Sequence, residues 1–302
     1  MRIIAICAIA CLTLSCATTR AHIAPSPRLL LHFIDVGEGD AILLQWIGHR
    51  PAWILVDTGN PVTGDRVLDY IRMAGADELD MAIITHPHMD HAGGLFQIAQ
   101  SMKVRAICDN GEDPWNNGDP NNFYRWYTSF TRARPAYRAL VAGATIPLGE
   151  AELEILWPPA GGFAHEYINA RSMVIMVRFG QFRALLAGDL IEPAATALAR
   201  SVSDISAHIL KAGHHGADDA GSMEFLEKVA PKVVVVSVDS DNINGYPSSE
   251  FLARMKVVGA RTLRTDRDGD IVIEAQASGG ISIVKSLPDS GPGVLERFPD
   301  GR

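Results

Sequence analysis

Six consecutive positions constrain this chain more than any others: His86-Pro87-His88-Met89-Asp90-His91. They follow an apolar run, Met81 to Thr85, and precede Ala92-Gly93-Gly94, so three imidazoles and a carboxylate crowd the loop between a strand and a helix start. Loops presented by a rigid scaffold are where binding and catalytic groups concentrate. Imidazole nitrogens and a carboxylate oxygen together form the ligand set that borderline-soft divalent metals prefer. Incidental surface histidines do not explain four potential ligands in six residues. A fold that carries this segment must end a buried strand in a polar pocket.

The surrounding sequence supplies such strands. From Arg28 onward, short apolar or β-branched runs alternate with helical patterns, which predicts a mixed α/β layered domain. Expected strands are Leu29 to Asp35, Ala41 to Trp46, Trp53 to Val56 and Met81 to Thr85, with a helix from about Asp65 to Ala74. A helix near Gly94 to Met102, a strand Val104 to Ile107 and a turn-rich loop, Asp109 to Asn122, follow. The second half repeats the alternation, and its continuous run Val233 to Val238 reads as a strand buried on both faces. The domain is expected to span residues 28–286, with a flexible, Pro/Gly/Asp-rich tail over 287–302.

The first residues are of another kind. Arg2, the apolar run Ile3 to Leu14 and the small residues after it form a secretory signal pattern over 1–15, joined by a linker, 16–27, to the domain. The run falls short of the roughly 20 residues a permanent bilayer span needs. Leu14-Ser15-Cys16 is similar to the end of a bacterial lipobox, so Cys16 is a candidate for lipidation and the chain is expected to be exported, to the periplasm or to a membrane as a lipoprotein. Cys108 is then the one cysteine of the folded part, which excludes a disulfide framework, and it reads as a packing residue. Net charge is −8, from 27 basic and 35 acidic residues, and that balance argues against broad nucleic-acid binding. A small or polymeric anionic substrate stays open, because bound divalent cations invert the local field. Arg125, Arg132, Arg134 and Arg138, interleaved with Tyr124, Trp126, Tyr127 and Tyr137, read as an amphipathic helix more than as a nucleic-acid stripe.

Thr85 to Gly94 resembles the HxHxDH signature of the metallo-β-lactamase superfamily, and four further segments resemble its ComEC competence-protein branch in the right order. These are His32 to Ala41, with Asp35-Val36-Gly37-Glu38-Gly39-Asp40-Ala41 at its end, Ile54 to Gly59, Leu186 to Asp189 and Leu210 to Gly216. The resemblance implies a four-layer αββα sandwich and two metal ions, zinc first and Mn(2+) or Fe(2+) as alternatives. It places His86 and His88 on one ion, Asp90 and His91 on the other, Asp189 between them, and His214 or His215 in completion. Asp57 and Asp40 are implied as partners behind the ligands. Asn169 and Ser172 match an "N-x-x-S" segment that stands where classical β-lactamases have a third histidine, and His165, four residues earlier, is a loop histidine. Tyr246 occupies the place of a histidine in the branch's "N-x-Y-G-H-P" segment.

Two such ions, roughly 3.5 to 4 Å apart, lower the pKa of a bridging water and stabilise the attacking and leaving oxygens, so hydrolysis is the expected reaction. The branch implies phosphoester or phosphodiester cleavage, with Asp90 and Asp189 as the central carboxylates. Lys211, Asn169, Ser172 and Tyr246 are the candidate substrate contacts. The competing readings are β-lactam or thioester hydrolysis, and a non-catalytic, lipid-anchored binding protein of the same fold.

Overall fold

The computed structural model describes residues 26–113, 122–286 and 295–298. Residues 1–25, with Cys16 and the signal pattern, lie outside the described residues. Two sheets form the centre. The first has nine strands in the spatial order Leu295–Phe298, Ile281–Ser286, Asp270–Ala275, Arg28–Phe33, Ile42–Ile47, Ala52–Val56, Met81–Ile83, Ile107–Asp109 and Tyr137–Ala139. The second has seven, ordered Arg261–Arg264, Val233–Val236, Ile209–Lys211, Phe182–Leu186, Val174–Phe179, Ala151–Trp157 and Thr145–Leu148.

Side-chain alternation assigns each strand face to a layer. Leu29, Leu31, Phe33, Ile42, Leu44 and Trp46 of the first sheet pack against Ile175, Val177, Ala184, Ile209, Val233 and Val235 of the second, and this is the inter-sheet core. The opposite face of the second sheet, including Met176, Leu185, Val234 and Val236, packs on the helices Ala194–Ser201, Met223–Val229 and Ser249–Val257. Leu43 and Leu55 of the first sheet meet helices Gly64–Met73 and Leu95–Ser101, and Ala82 and Ile107 meet helix Asn122–Arg132. The order helix, sheet, sheet, helix is the expected four-layer sandwich. It also explains the unbroken valine run, since neighbouring valines feed two different cores.

Some expectations change. The run Val104 to Ile107 is not one strand: Lys103–Val104 pairs with Glu78–Leu79 in a separate ladder, and the main sheet resumes at Ile107–Asp109. Leu295–Phe298, inside the segment expected to be a flexible tail, pairs antiparallel with Ile281–Ser286 as an edge strand. The aromatic-basic stretch is a helix that buries Tyr124, Tyr127 and Thr131. Arg132 is tied to Asp113, and Phe123, Trp126 and Phe130 pack among themselves and, through Trp126 and Phe130, onto Phe96.

Each sheet has a parallel part, and the loops that matter leave the carboxyl ends of its strands. Asp57 follows Ala52–Val56, the His86 loop follows Met81–Ile83, Asp189 follows Phe182–Leu186, and His214-His215 follows Ile209–Lys211. Carboxyl ends of parallel strands are where open α/β sheets place ligands.

Candidate metal centre

The loop 86–91 is fixed from behind. The Asp57 carboxylate accepts from Thr85 N at 2.7 Å, from Thr85 Oγ1 at 2.8 Å, and pairs with His91 Nδ1 at 2.9 Å. Asp57 does this from a left-handed backbone, φ 59°, a conformation that strains a non-glycine residue and marks a constrained site. Thr58 N and Oγ1 both donate to His91 O, and Asp40 N donates to Asp90 O. That last contact needs Gly39: at φ 117°, a Cβ there would lie 2.1 Å from Asp90 O.

These bonds aim the ring nitrogens. His91 spends Nδ1 on Asp57, His215 spends Nδ1 on Ser237 O at 2.9 Å, and His86 turns Nδ1 to Thr85 Oγ1 at 3.1 Å. Each keeps Nε2 for the interior of the site, the usual way outer partners set a ligand's tautomer. His86 Nε2 faces His88 Nδ1 at 3.0 Å and lies 3.7 Å from Asp189 Oδ2. His91 Nε2 lies 3.2 Å from Asp189 Oδ1 and 3.6 Å from Asp90 Oδ2, and His215 Nε2 is 3.4 Å and 3.3 Å from the same two carboxylates.

Two groups of ligand atoms result, each with all members within 4.8 Å of one another: Asp90, His91, Asp189 and His215, and His86, His88 and Asp189. Asp189 belongs to both. It sits after Gly188, whose positive φ of 51° lets the chain turn under Ser172. A third group, Asp40, Asp57 and His91, lies behind the first.

Electrostatics describe a site short of positive charge. Burial resists ionisation of Asp189, yet His91, His215 and His86 hold its carboxyl well below the usual range. Burial likewise opposes charging His91 and His215, but Asp189 and Asp90 raise His91 well above its usual value and Asp189, with Asp90, brings His215 to about 9. Burial, with His91 and His88 nearby, keeps His86 neutral, and burial also lowers His88. Protons on two imidazoles thus do what divalent cations do better. His91 Nε2 and Asp189 Oδ1 are buried and face each other at 3.2 Å without a well-directed hydrogen bond. Buried polar atoms of this kind demand a partner, and the donor set of imidazoles and carboxylates suits a divalent ion.

Several expected residues fall elsewhere. His214 is not among the gathered ligand atoms; its Nδ1 pairs with Asp219 at 2.9 Å and its ring faces Tyr246 at 5.6 Å. The backbone explains the split, because both residues of the pair are left-handed, φ 37° and 51°, and the turn sends the two rings apart. Lys211 is no substrate contact: it is fully buried, 2.8 Å from Asp40 Oδ2, and donates to Ala212 O. Ser172 is also withdrawn from any substrate, since its buried Oγ accepts from Asp189 N at 2.9 Å and lies 3.4 Å from His86 Nδ1. Asn169 lines a cavity of about 590 Å³ with His88, Tyr124, Tyr167, His214 and Asp219. Tyr246 lies at the edge of a neighbouring cavity with Asp218 and Asp219. His165 is in neither group; its carbonyl accepts from Arg171. Cys108 is buried in the inter-sheet core, where burial pushes its thiol up to about 11.

Sequence reasoning missed Thr85, Asp219 and the network around Arg171. Thr85 was legible as the last residue before His86, and Asp219 as the acid five positions after His214. Asn110, Glu112 and Arg171 carried no local signal, because they meet only where the loop after Ile107–Asp109 touches the turn Ile168–Arg171.

Comparison with known proteins places the fold and the family. The chain is 25% identical over 257 residues to ComE operon protein 3 of Bacillus subtilis, covering 79% of this chain and 32% of that protein. It is 23% identical over 255 residues to competence protein ComA of Neisseria gonorrhoeae, covering 83% and 33%. It therefore spans about a third of the length of these relatives. Among solved structures, the metallo-beta-lactamase fold protein YhfI from Bacillus subtilis aligns with a TM-score of 0.51 at 11% identity, over 90% of this chain and 100% of that one. Among the described residues no helix is long and apolar enough to cross a membrane. Residues 34–240 match the metallo-beta-lactamase superfamily domain, and the chain belongs to that superfamily, in which it is similar to the ComEC-like competence proteins.

Proposed function

We propose that this protein is an exported hydrolase of phosphoester or phosphodiester bonds working with two divalent ions, zinc in the first instance. His86, His88 and Asp189 would hold one ion, and Asp90, His91, Asp189 and His215 the other. The observation that carries the reading is the sharing of Asp189 by both groups of ligand atoms, since a carboxylate has one oxygen for each ion. A pair of ions so placed supplies Lewis acidity to the scissile group and brings the pKa of water down to about 7.

The chain's own residues do the rest. Asp57, Ser237 O and Thr85 Oγ1 fix the ring orientation of His91, His215 and His86, so the ligand atoms converge before any ion arrives. The cavity beside His88, about 590 Å³, is within the size range of small-ligand sites, roughly 300 to 1,000 Å³. Tyr124, Tyr167 and Ile168 give it apolar walls, and Asn169, His214 and Asp219 give it polar groups. Burial opposes charging His214, but its bond to Asp219 raises its pKa, which favours the imidazole as a donor toward a departing oxygen. Phosphoryl transfer is favoured over acyl transfer by the resemblance to the ComEC-like branch. Export, with a lipid on Cys16, is supported by the apolar run of residues 3–14 and the small residues that follow.

The test is metal content followed by a substrate screen. Purified protein is expected to contain zinc, manganese or iron, and to hydrolyse bis-p-nitrophenyl phosphate, phosphorylcholine esters or DNA, with loss of activity in Asp90→Ala. Protein free of all three metals would refute the hydrolase reading. Turnover of nitrocefin alone would replace phosphoester cleavage with lactam cleavage.

A further inference from the structure

The parallel strands of the second sheet carry Asp189 and His215 beyond their carboxyl ends; a different set of side chains gathers at their amino ends. Ala184, Ile209 and Val233 form one row across the three neighbouring strands, and Arg183, His208 and Lys232 each stand one residue before it. His208 N donates to Arg183 O at 2.9 Å and Lys232 N to His208 O at 3.0 Å, so these three residues continue the ladder, on strands about 4.8 Å apart. Like charges side by side on neighbouring strands are destabilising. Asp204 answers Arg183, bonding its Nη1, but Lys232 has no carboxylate partner among the described residues. Burial, and then the charges of Lys232 and Arg183, hold the His208 imidazole below its usual pKa.

Arg183, His208 and Lys232 line one cavity of about 170 Å³ with Ser206 and two alanines. Each brings a donor that the fold leaves unused. Arg183 spends Nη1 on Asp204 and Ser206 Oγ and Nη2 on Asp204 O, while its Nε is buried without an acceptor. His208 Nδ1 accepts from Arg183 N at 3.1 Å, which puts the proton of the neutral ring on Nε2. The Lys232 ammonium adds a third donor. A buried donor without an acceptor calls for one. The cavity is smaller than the roughly 300 Å³ at which organic-ligand sites begin, so its occupant is a small ion. Guanidinium and ammonium groups form short, charge-assisted bonds to the oxygens of phosphate-like anions.

We infer that the amino ends of these strands form a binding site for one tetrahedral oxyanion, inorganic phosphate above all, held by Lys232, Arg183 and His208. The metal centre lies at the other ends of the same strands, so the oxyanion site stands apart from it and does not depend on the hydrolase reading. An anion there offsets the repulsion along the row and ties three strands together at the end opposite the metal ligands.

Titration of the purified full chain with sodium phosphate, read as backbone amide NMR shifts, tests this and separates the two ends of the sheet. Saturable shifts are expected at Arg183, His208 and Lys232, and they should be absent when sodium chloride replaces phosphate at the same ionic strength. Lys232→Gln removes one charge-assisted bond from a half-buried position and should move the midpoint to at least about 10-fold higher phosphate. Asp204→Asn removes the carboxylate that competes for Arg183 and should move it to lower phosphate. Shifts confined to residues of the metal centre, an equal response to chloride, a midpoint unmoved in Lys232→Gln or weaker binding in Asp204→Asn would each overturn the inference. All of these outcomes leave the hydrolase reading standing, because that reading is decided by metal content and turnover.

Discussion

The two sheets deliver their shares of the site in different ways. The first sheet sends His86, His88, Asp90 and His91 on one tight turn, braced by Asp57 and Thr85 within the same sheet. The second sends Asp189 and His215 from separate loops, each held by a contact that is not local: Ser172 Oγ on Asp189 N, and Ser237 O on His215. Lys211 and Asp40, one from each sheet, join the two halves as a fully buried ion pair. The first half carries its chemistry in its chain, while the second assembles it only once the sandwich has closed.

The strongest test of this division is Asp189→Ala. It takes one residue from the second half yet strips a ligand from both groups, so hydrolysis should fall by about 1,000-fold or more and bound metal should fall with it, because metal clamping contributes several kcal/mol. Retention of two ions would mean that the halves do not meet at Asp189.

Next in size is the link between the sheets. Lys211→Met leaves the Asp40 carboxylate buried without its cation, a change that costs about 3–5 kcal/mol in stability. Urea unfolding of the metal-free protein measures it, and adding Asp40→Leu should recover most of the loss. A single variant as stable as wild type would show that the pair does not lock the halves.

The third prediction concerns pH. The usual His215 value of 6.5 is raised to about 9 in the folded protein, so its protonation stabilises the metal-free fold fully below about pH 6.5, and that stability is lost as pH rises through about 9. Metal binding runs the opposite way, since an imidazole must shed its proton to ligate. The free zinc needed for loading should therefore fall as pH rises toward about 9, while metal-free protein melts at progressively lower temperature over the same window. A loading curve independent of pH would remove His215 from the site. The smallest effect is Ser172→Ala, which leaves Asp189 N without its acceptor at a cost of about 1–3 kcal/mol and should loosen zinc at both positions modestly. Zinc loading identical to wild type would show that Ser172 does not position Asp189.

The first-half loop was legible because its donors are neighbours in the chain, and the four-layer arrangement was implied by the family resemblance, with alternating strand faces that each find an apolar partner. Lys211 and Ser172 misled for one physical reason: a lysine that ends a strand, like a serine that follows a turn, usually faces solvent, and nothing local showed that Asp40 and Asp189 would arrive to bury them. The paired histidines were ambiguous in the same way, because the choice between them rests on two left-handed residues and on Asp219 and Ser237 O.

Local sequence alone supplied the donor chemistry of residues 86–91 and the alternation of strand and helix patterns that makes a mixed α/β domain, while the four-layer arrangement came from the family resemblance. The closed sandwich settled that His215 and not His214 joins the gathered donor atoms and that Asp189 is common to both groups. The reason is distance along the chain: periodicity and propensity act over a few residues, whereas these groups come together only when two sheets close on a shared core and must satisfy one another's buried charge.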